Sequence, residues 1–473
     1  LKAGFIRENM NSRWSSPCYP VRKPGTNKWR ITIDYRAVNN LVIPKCGFMP
    51  YLAIKTVLLA GMKVFGIMDL CSGFWQLPLD KQCQETLSFA TDSKIYTPNR
   101  VPQGAVDSAL HFQSVMMECF KDLLDKCVLI WMDDILLFAK TQEEFLEVLE
   151  KVLQVVKKYR LKVNPDKTRL FLSEVCWCGR IYDGTGMRQD PGRLQGLRDL
   201  RSPKTVAELQ QFLCAVNWLR GSLPDYARVV SALQQLLKDK LAGTSGTRRV
   251  AGGMPLVLSE EQELCFTNVK KLLMKSVKLH YQLMNAVVCV FTDASDFGWS
   301  VVITQVIEWD HELKVGEQDH QALIFLSGSF KGSELNWTVT EKEAFPIIMA
   351  LEKADYILQR EGGFRLYCDH LNLISIFAPN KSTTKKTSVG RLHRWSMKLM
   401  SFQYEAYHIA GVENVWADLL SRWLGKPEGT KGITLWLISI LTLTLWVRDK
   451  WKCLPVTQSR ICKLCITEPE YQI

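Results

Sequence analysis

Apolar and polar residues alternate over residues 19–35 on both sides of Pro24-Gly25-Thr26-Asn27, a period of two interrupted by turn formers that predicts a β-hairpin. Further along, residues 64–68, 128–132 and 135–139 are apolar runs of strand length. The period then lengthens. Phe145, Val148, Leu149, Val152, Val155, Val156 and Tyr159 recur at helical spacing behind Thr141 and Glu144, a capping-box pair, and predict a long amphipathic helix. Thr205 and Glu208 repeat that start signal ahead of Leu209, Phe212, Leu213 and Val216, so helices are expected to dominate residues 204–238.

Residues 241–253 lose all periodicity and are rich in Gly, Ser, Thr and Arg, which reads as a flexible linker between two folded halves. Beyond it come strand-like runs at 287–292, 300–306 and 322–326 and a helix from about 340 to 358, the makings of a separate α+β domain. Residues 433–447 are almost wholly apolar but number fifteen, where a membrane span needs roughly 20. No stable membrane association is expected.

A chain of 473 residues, 47% hydrophobic and 23% charged, is long enough for several packed domains and unlike a disordered polymer. Its net charge of +12 suits a surface that meets phosphates. The fifteen cysteines lie scattered among apolar runs without framework spacing, which favours a reducing compartment. Cys462 and Cys465 form a CxxC with no second pair, so no zinc site is expected. The chain opens at Leu1 rather than a methionine, which suggests a piece of a longer open reading frame.

Two constellations of acids carry candidate chemistry. Asp133-Asp134 sits between two apolar runs, so two strands would meet at a turn that bears both carboxylates, and Asp69 ends a third run where it could face them. Adjacent acids repel unless a cation neutralises them, and a divalent metal with oxygen ligands is the usual solution. Two such ions about 3.5–4 Å apart would activate a primer 3′-hydroxyl and stabilise the attacking and leaving oxygens. A bare DD pair is far more often a solvated turn than a metal site. In the second constellation, Asp293 and Asp369 each end an apolar strand-like run, Glu343 lies on the first turn of a helix, and Asp418 follows Trp416-Ala417. Four acids at the ends of apolar elements suggest two hard cations again, here activating water, although each alone is more often a cap or a surface acid.

Five motifs in a fixed order change that weighing: Trp29-Arg30-Ile31-Thr32-Ile33-Asp34-Tyr35-Arg36-Ala37-Val38-Asn39, Met68-Asp69-Leu70-Cys71-Ser72-Gly73-Phe74-Trp75-Gln76, Val101-Pro102-Gln103-Gly104, Trp131-Met132-Asp133-Asp134 and Leu161-Lys162-Val163-Asn164-Pro165-Asp166-Lys167. Together they resemble the polymerase of gypsy-class LTR retrotransposons, and the acids at 293, 343, 369 and 418 resemble the ribonuclease H domain that follows it. The resemblance implies an α+β protein: a right-hand polymerase, then a connection segment and an RNase H-like domain with a mixed sheet. It divides the chain into fingers and palm at 1–175, a thumb-like helical region at 176–240, linker and connection at 241–285, RNase H at 286–425 and an unassigned tail at 426–473.

It also implies an RNA-directed DNA polymerase with ribonuclease H activity, the segment of a Pol polyprotein that works in a cytoplasmic element particle on a product destined for the nucleus. Asp69 and Asp133 would hold two magnesium ions, with manganese as an alternative, and Asp134 would lie beside them. Lys23 and Arg30 would meet the incoming triphosphate, Gln103 would line the nucleotide pocket, and Phe74 would exclude a ribose 2′-hydroxyl. Lys167 would also contact the nucleotide. The plain reading of Phe74 is core packing, and that of Lys167 is a solvated helix-end lysine. Lys204, Arg220 and Arg228 would be available to phosphates. Asp293, Glu343, Asp369 and Asp418 would hold the nuclease metals, with His408 assisting product release. The implied partners are an RNA template, a DNA primer, the RNA/DNA hybrid, deoxynucleotides, and the protease and integrase segments of the same polyprotein. An inactive or domesticated nucleic-acid binder is the alternative reading. Pro346 departs from the family, which continues the helix with alanine, and it would kink the segment that aims Glu343.

Overall fold

The computed structural model describes residues 1–22, 27, 29–224, 226–377 and 390–410. Lys23, the turn at 24–26, Asp418, the apolar run at 433–447 and Cys462 with Cys465 lie outside them. The described residues belong to one compact unit.

At its centre is a four-stranded sheet in the spatial order Val128–Trp131, Asp134–Ala139, Val64–Asp69, Arg169–Leu172. Its strands read as unbroken apolar runs because both faces are covered. Ile130, Ile135 and Leu137 face Phe112, Met116, Phe145, Val148 and Val152, supplied by helices Ser108–Cys119 and Gln142–Lys158. Leu129, Leu136, Phe138 and Phe65 face the other way, onto Trp177, Tyr182 and Tyr281. The helix expected after Asp134 runs over Gln142–Lys158. Thr141 caps it by accepting the Glu144 N–H, acids fill its first turn and lysines its last, each end matching the helix dipole. The expected hairpin at 19–35 is the antiparallel pair Ser16–Arg22 and Trp29–Ile33.

Helices Val206–Leu219, Tyr226–Leu241 and Glu260–Leu273 pack Leu209, Phe212, Val216, Val230, Leu233, Phe266 and Val269 into a second core. The stretch read as a flexible linker is partly built into this core. It holds the short helix Arg248–Gly252, whose Ala251 is fully buried, and Leu256 just beyond it is buried as well. These few apolar anchors are too irregularly spaced to give a period, so composition alone read them as linker.

A further sheet, one of four among the described residues, is mixed, in the order Gln321–Ser329, Gly298–Val306, Val287–Ala294, Phe364–Cys368, Tyr404–His408, with the first three strands antiparallel and the last two joining in parallel. Helix Val339–Lys353 lies on one face and buries Ala344, Ile347, Ile348 and Leu351 against Val288, Val290, Val301 and Ile303. It begins one residue before the expected start. Glu343 therefore falls in the second turn rather than the first, and Pro346 lies well inside a helix that continues past it. Among the described residues, no helix is long and apolar enough to cross a membrane.

Candidate active sites

The first site forms where the central sheet ends. Val64–Asp69 and Asp134–Ala139 pair antiparallel in a register that sets Asp69 directly across from Asp134. Between the neighbouring strands the turn passes through Met132 at φ 55°, a left-handed conformation a side chain rarely adopts. Asp133 follows, and its carbonyl accepts the Leu70 N–H at 3.1 Å. Three carboxylates thus come from two adjoining strand ends.

The turn is held from behind by Gln113, a fully buried side chain on helix Ser108–Cys119. Its Oε1 accepts the Met132 N–H at 2.7 Å and its Nε2 donates to the Ile130 carbonyl at 3.1 Å. Sequence reasoning missed this residue. The available signal was an amide side chain between Phe112 and Met116, on the buried stripe of an otherwise apolar helix face.

Burial and crowding raise the proton affinity of Asp134. Partial burial, with the charges of Asp133 and Asp69, pushes the Asp134 carboxyl up to about 6, and Lys167 opposes the shift. Lys167 is neither free in solvent nor remote, since its Nζ lies 2.9 Å from Asp69 Oδ2. A cationic group thus stands at the acids, as the chemistry of the donor set demands.

Gly73 closes the site on one side. A Cβ there would come within 2.9 Å of the Phe112 ring and 3.2 Å of Asp133 Cβ, so only glycine lets this turn approach the acid. Phe74 follows in a short 3₁₀ turn, half-buried, its ring stacked on Phe112 with centroids 4.7 Å apart. Phe74 thus packs in the core while its neighbour Gly73 is the residue that approaches Asp133. Arg30 is exposed on strand Trp29–Ile33, and Gln103 is exposed just before Gly104.

The second site joins Asp293, Glu343 and Asp369, whose ligand oxygens lie within 4.8 Å of one another. Val287–Ala294 and Phe364–Cys368 are parallel neighbours, which brings Asp293 and Asp369 to the same sheet edge, and helix Val339–Lys353 supplies Glu343. Asp293 is almost wholly buried, a costly place for a carboxylate without positive charge nearby. Three oxygen donors at this spacing suit a hard divalent cation. His408 is exposed at the end of Tyr404–His408, across from Cys368 and one residue short of Asp369 in the ladder.

Residues 21–198 match the family model described as reverse transcriptase (RNA-dependent DNA polymerase), and residues 284–402 match that of the RNase H-like domain found in reverse transcriptase. The retrovirus-related Pol polyprotein from transposon opus of Drosophila melanogaster is 26% identical over 426 residues, 89% of this chain and 41% of that protein. For the polyprotein from transposon 297 of the same fly the figures are 27% over 427 residues, 89% and 37%. For the Tf2-3 transposon polyprotein of Schizosaccharomyces pombe they are 26% over 429 residues, 90% and 30%. The chain therefore spans less than half the length of the relatives it matches. Among solved structures, a foamy viral protease-reverse transcriptase in complex with dsDNA is 24% identical with a TM-score of 0.68, covering 86% of this chain and 80% of that one. A second, described as the dRH form with ds DNA, has a TM-score of 0.69 at 22% identity over 86% and 67%. At these identities the structural likeness speaks to the fold. The chain belongs to the reverse transcriptases with an RNase H-like domain, and the relatives it matches are Pol polyproteins of retrotransposons.

Proposed function

We propose that this segment is an RNA-directed DNA polymerase with ribonuclease H activity, and that its two acidic clusters are the two active sites. The observation that carries the polymerase reading is the convergence of Asp69, Asp133 and Asp134 from two paired strand ends, with Lys167 set against Asp69. Magnesium, two ions per site, would supply charge neutralisation and activation of the attacking oxygen. Asp69 and Asp133 would hold these ions, and Asp134 would adjust the negative charge beside them. Lys23 and Arg30 would bind the triphosphate of a deoxynucleotide, Gln103 would line its pocket, and Phe74 would bar a 2′-hydroxyl. In the nuclease, Asp293, Glu343 and Asp369 would hold the cations with Asp418, and His408 would assist release of the cut strand.

The proposed division follows the same lines with one correction: residues 175–189 hold the strands Val175–Trp177, Arg180–Asp183 and Gly186–Gln189, so the thumb-like helices run from 191 to 240, after fingers and palm to 175 and before the connection to 285 and the nuclease from 286 to 425. Partners are then an RNA template, a DNA primer and their hybrid, which is consistent with a foamy viral relative of 23% identity described in complex with an RNA/DNA hybrid. The relatives are polyproteins, so protease and integrase segments are the natural companions, and an element particle in the cytoplasm the natural setting, with nuclear delivery of the product. Primer extension on an RNA template in magnesium tests the reading. Asp133→Asn should abolish extension and leave hybrid cleavage intact, whereas a wild type that binds hybrid but never extends a primer would favour the inactive binder.

A further inference from the structure

Of the three described nuclease acids, two are fixed by the sheet: Asp293 lies within a strand paired on both sides, and Asp369 directly follows another. Glu343 depends on a helix, and that helix has a weak rung beside it. Pro346 has no amide hydrogen to donate to the Lys342 carbonyl, so the turns that carry Glu343 are tied to the rest of helix Val339–Lys353 by one bond fewer than usual. Something outside the helix must hold its first turns in place.

The helix start is fastened from helix Arg391–Leu399. Glu341 Oε2 accepts the Thr338 N–H at 3.0 Å and the Thr338 hydroxyl at 3.1 Å, while Thr338 Oγ1 accepts the Glu341 N–H, so cap and third residue close on each other. The remaining oxygen, Oε1, accepts Arg391 Nη1 at 2.7 Å. The Arg391 guanidinium lies 4.3 Å from the Trp337 ring centroid and 6.0 Å from that of Trp395. Trp337 and Trp395 pack on each other and on Phe345 at 5.2–6.0 Å between centroids. Arg391 is thus gripped by an aromatic cluster on one side and grips the helix cap on the other. An ion pair between Lys398 and Glu352 ties the same two helices together further along.

We propose that Arg391 is a positioning residue for Glu343, acting through Glu341 and the cap of helix Val339–Lys353 to offset the bond lost at Pro346. This rests on the nuclease reading above. Charge-assisted, partly buried hydrogen bonds of this kind are strong enough that losing one should lower the kcat of hybrid cleavage about tenfold.

The experiment compares wild type, Arg391→Gln, Arg391→Lys and Arg391→Gln/Pro346→Ala in the full chain, reading cleavage kcat and KM, primer extension, and amide hydrogen exchange over 339–345. Arg391→Gln should lower kcat, leave KM and extension within about twofold, and speed exchange at those amides. Arg391→Lys should recover part of kcat. Pro346→Ala should recover more, because it restores the missing rung. If Arg391→Gln also loses extension, Glu341→Gln replaces it, since the amide still accepts the Thr338 N–H but loses the ion pair. Unchanged kcat and exchange in either folded variant would overturn the proposal. So would a tenfold rise in KM that steepens with salt, which would make Arg391 a phosphate contact. A wild type without any cleavage would refute the nuclease reading alone, and the exchange data would still decide whether Arg391 holds the helix.

Discussion

Replacing Asp134 by Asn removes one charge from a crowded cluster while nearly preserving shape, and it should move stability and activity in opposite directions. The folded protein pushes this carboxyl from 3.8 up to about 6. The sign follows from which state holds the proton. Below about 4 both folded and unfolded chains are protonated there and nothing is lost. Between about 4 and 6 the unfolded chain ionises first, so stability falls as pH rises, and above about 6 the full cost persists. Two pH units of such a shift correspond to roughly 3 kcal/mol. Solvent reaches the half-exposed carboxylate, which reduces this to about 1–2 kcal/mol. In EDTA at pH 7.5, Asp134→Asn should therefore raise the melting temperature by about 2–8 °C, at about 2–4 °C per kcal/mol for a domain of roughly 150–250 residues. At pH 4 the gain should vanish. Added magnesium should stabilise wild type more than the variant, because it neutralises the repulsion the variant no longer has, and the variant should extend primers poorly. Thermal melts of both proteins at the two pH values, with and without magnesium, provide the assay. Equal melting temperatures in EDTA at pH 7.5, or a difference that survives at pH 4, would refute the electrostatic account.

Three further outcomes follow from the same geometry. Asp293→Asn should remove hybrid cleavage and spare primer extension, measured on one preparation, because its acids and those at Asp133 lie on different sheets. Gln113→Leu leaves the Met132 N–H and the Ile130 carbonyl without their side-chain partner, which should cost about 2–4 kcal/mol in urea unfolding and reduce extension at least tenfold; a variant of normal activity would show that the turn holds itself. Phe74→Val should raise ribonucleotide use relative to deoxynucleotide use by roughly 10- to 200-fold in kcat/KM. An unchanged ratio in an active variant would leave Phe74 as packing on Phe112 and nothing more.

The parts of the fold that were legible in the sequence are those in which local pattern and tertiary environment agree. Residues 128–139 read as two strands around an acidic turn because unbroken apolar runs are what a sheet covered on both faces requires, and the structure pairs them so. Thr141, Thr205 and their partners at 144 and 208 announced helix starts because a cap is a local device. What was not legible depends on partners distant in sequence. Lys167 comes to rest on Asp69 across a separation of 98 residues, and nothing in its neighbours distinguishes it from a solvated lysine. Gln113 looked like a minor interruption of a helix stripe until its two hydrogen bonds tied it to the turn. The start of helix Val339–Lys353 was expected about one residue late, because the bond from the Glu341 amide to the Thr338 side chain that sets it at Val339 is not visible in a hydrophobic pattern.

The two acid clusters are held by different means, and that difference bears on how each would fail. Asp69 and Asp134 are cross-strand neighbours in a sheet buried on both faces, so displacing either requires a shift in register, which would turn every apolar side chain of the strand to the wrong face. Position there is tied to the folding of the whole core. In the nuclease, Asp293 and Asp369 share that kind of protection, but Glu343 is aimed by a helix start that can move while the sheet stays intact. A substitution near Thr338, Glu341 or Arg391 would then misplace one carboxylate without unfolding anything, whereas Asp69 and Asp134 should be lost only together with the domain, and Asp133, on the turn between strands, depends on Gln113. In this chain Pro346 removes one rung of that helix, so substitutions at its start should lower hybrid cleavage before primer extension, and those that break the contacts of Arg391 should do so most.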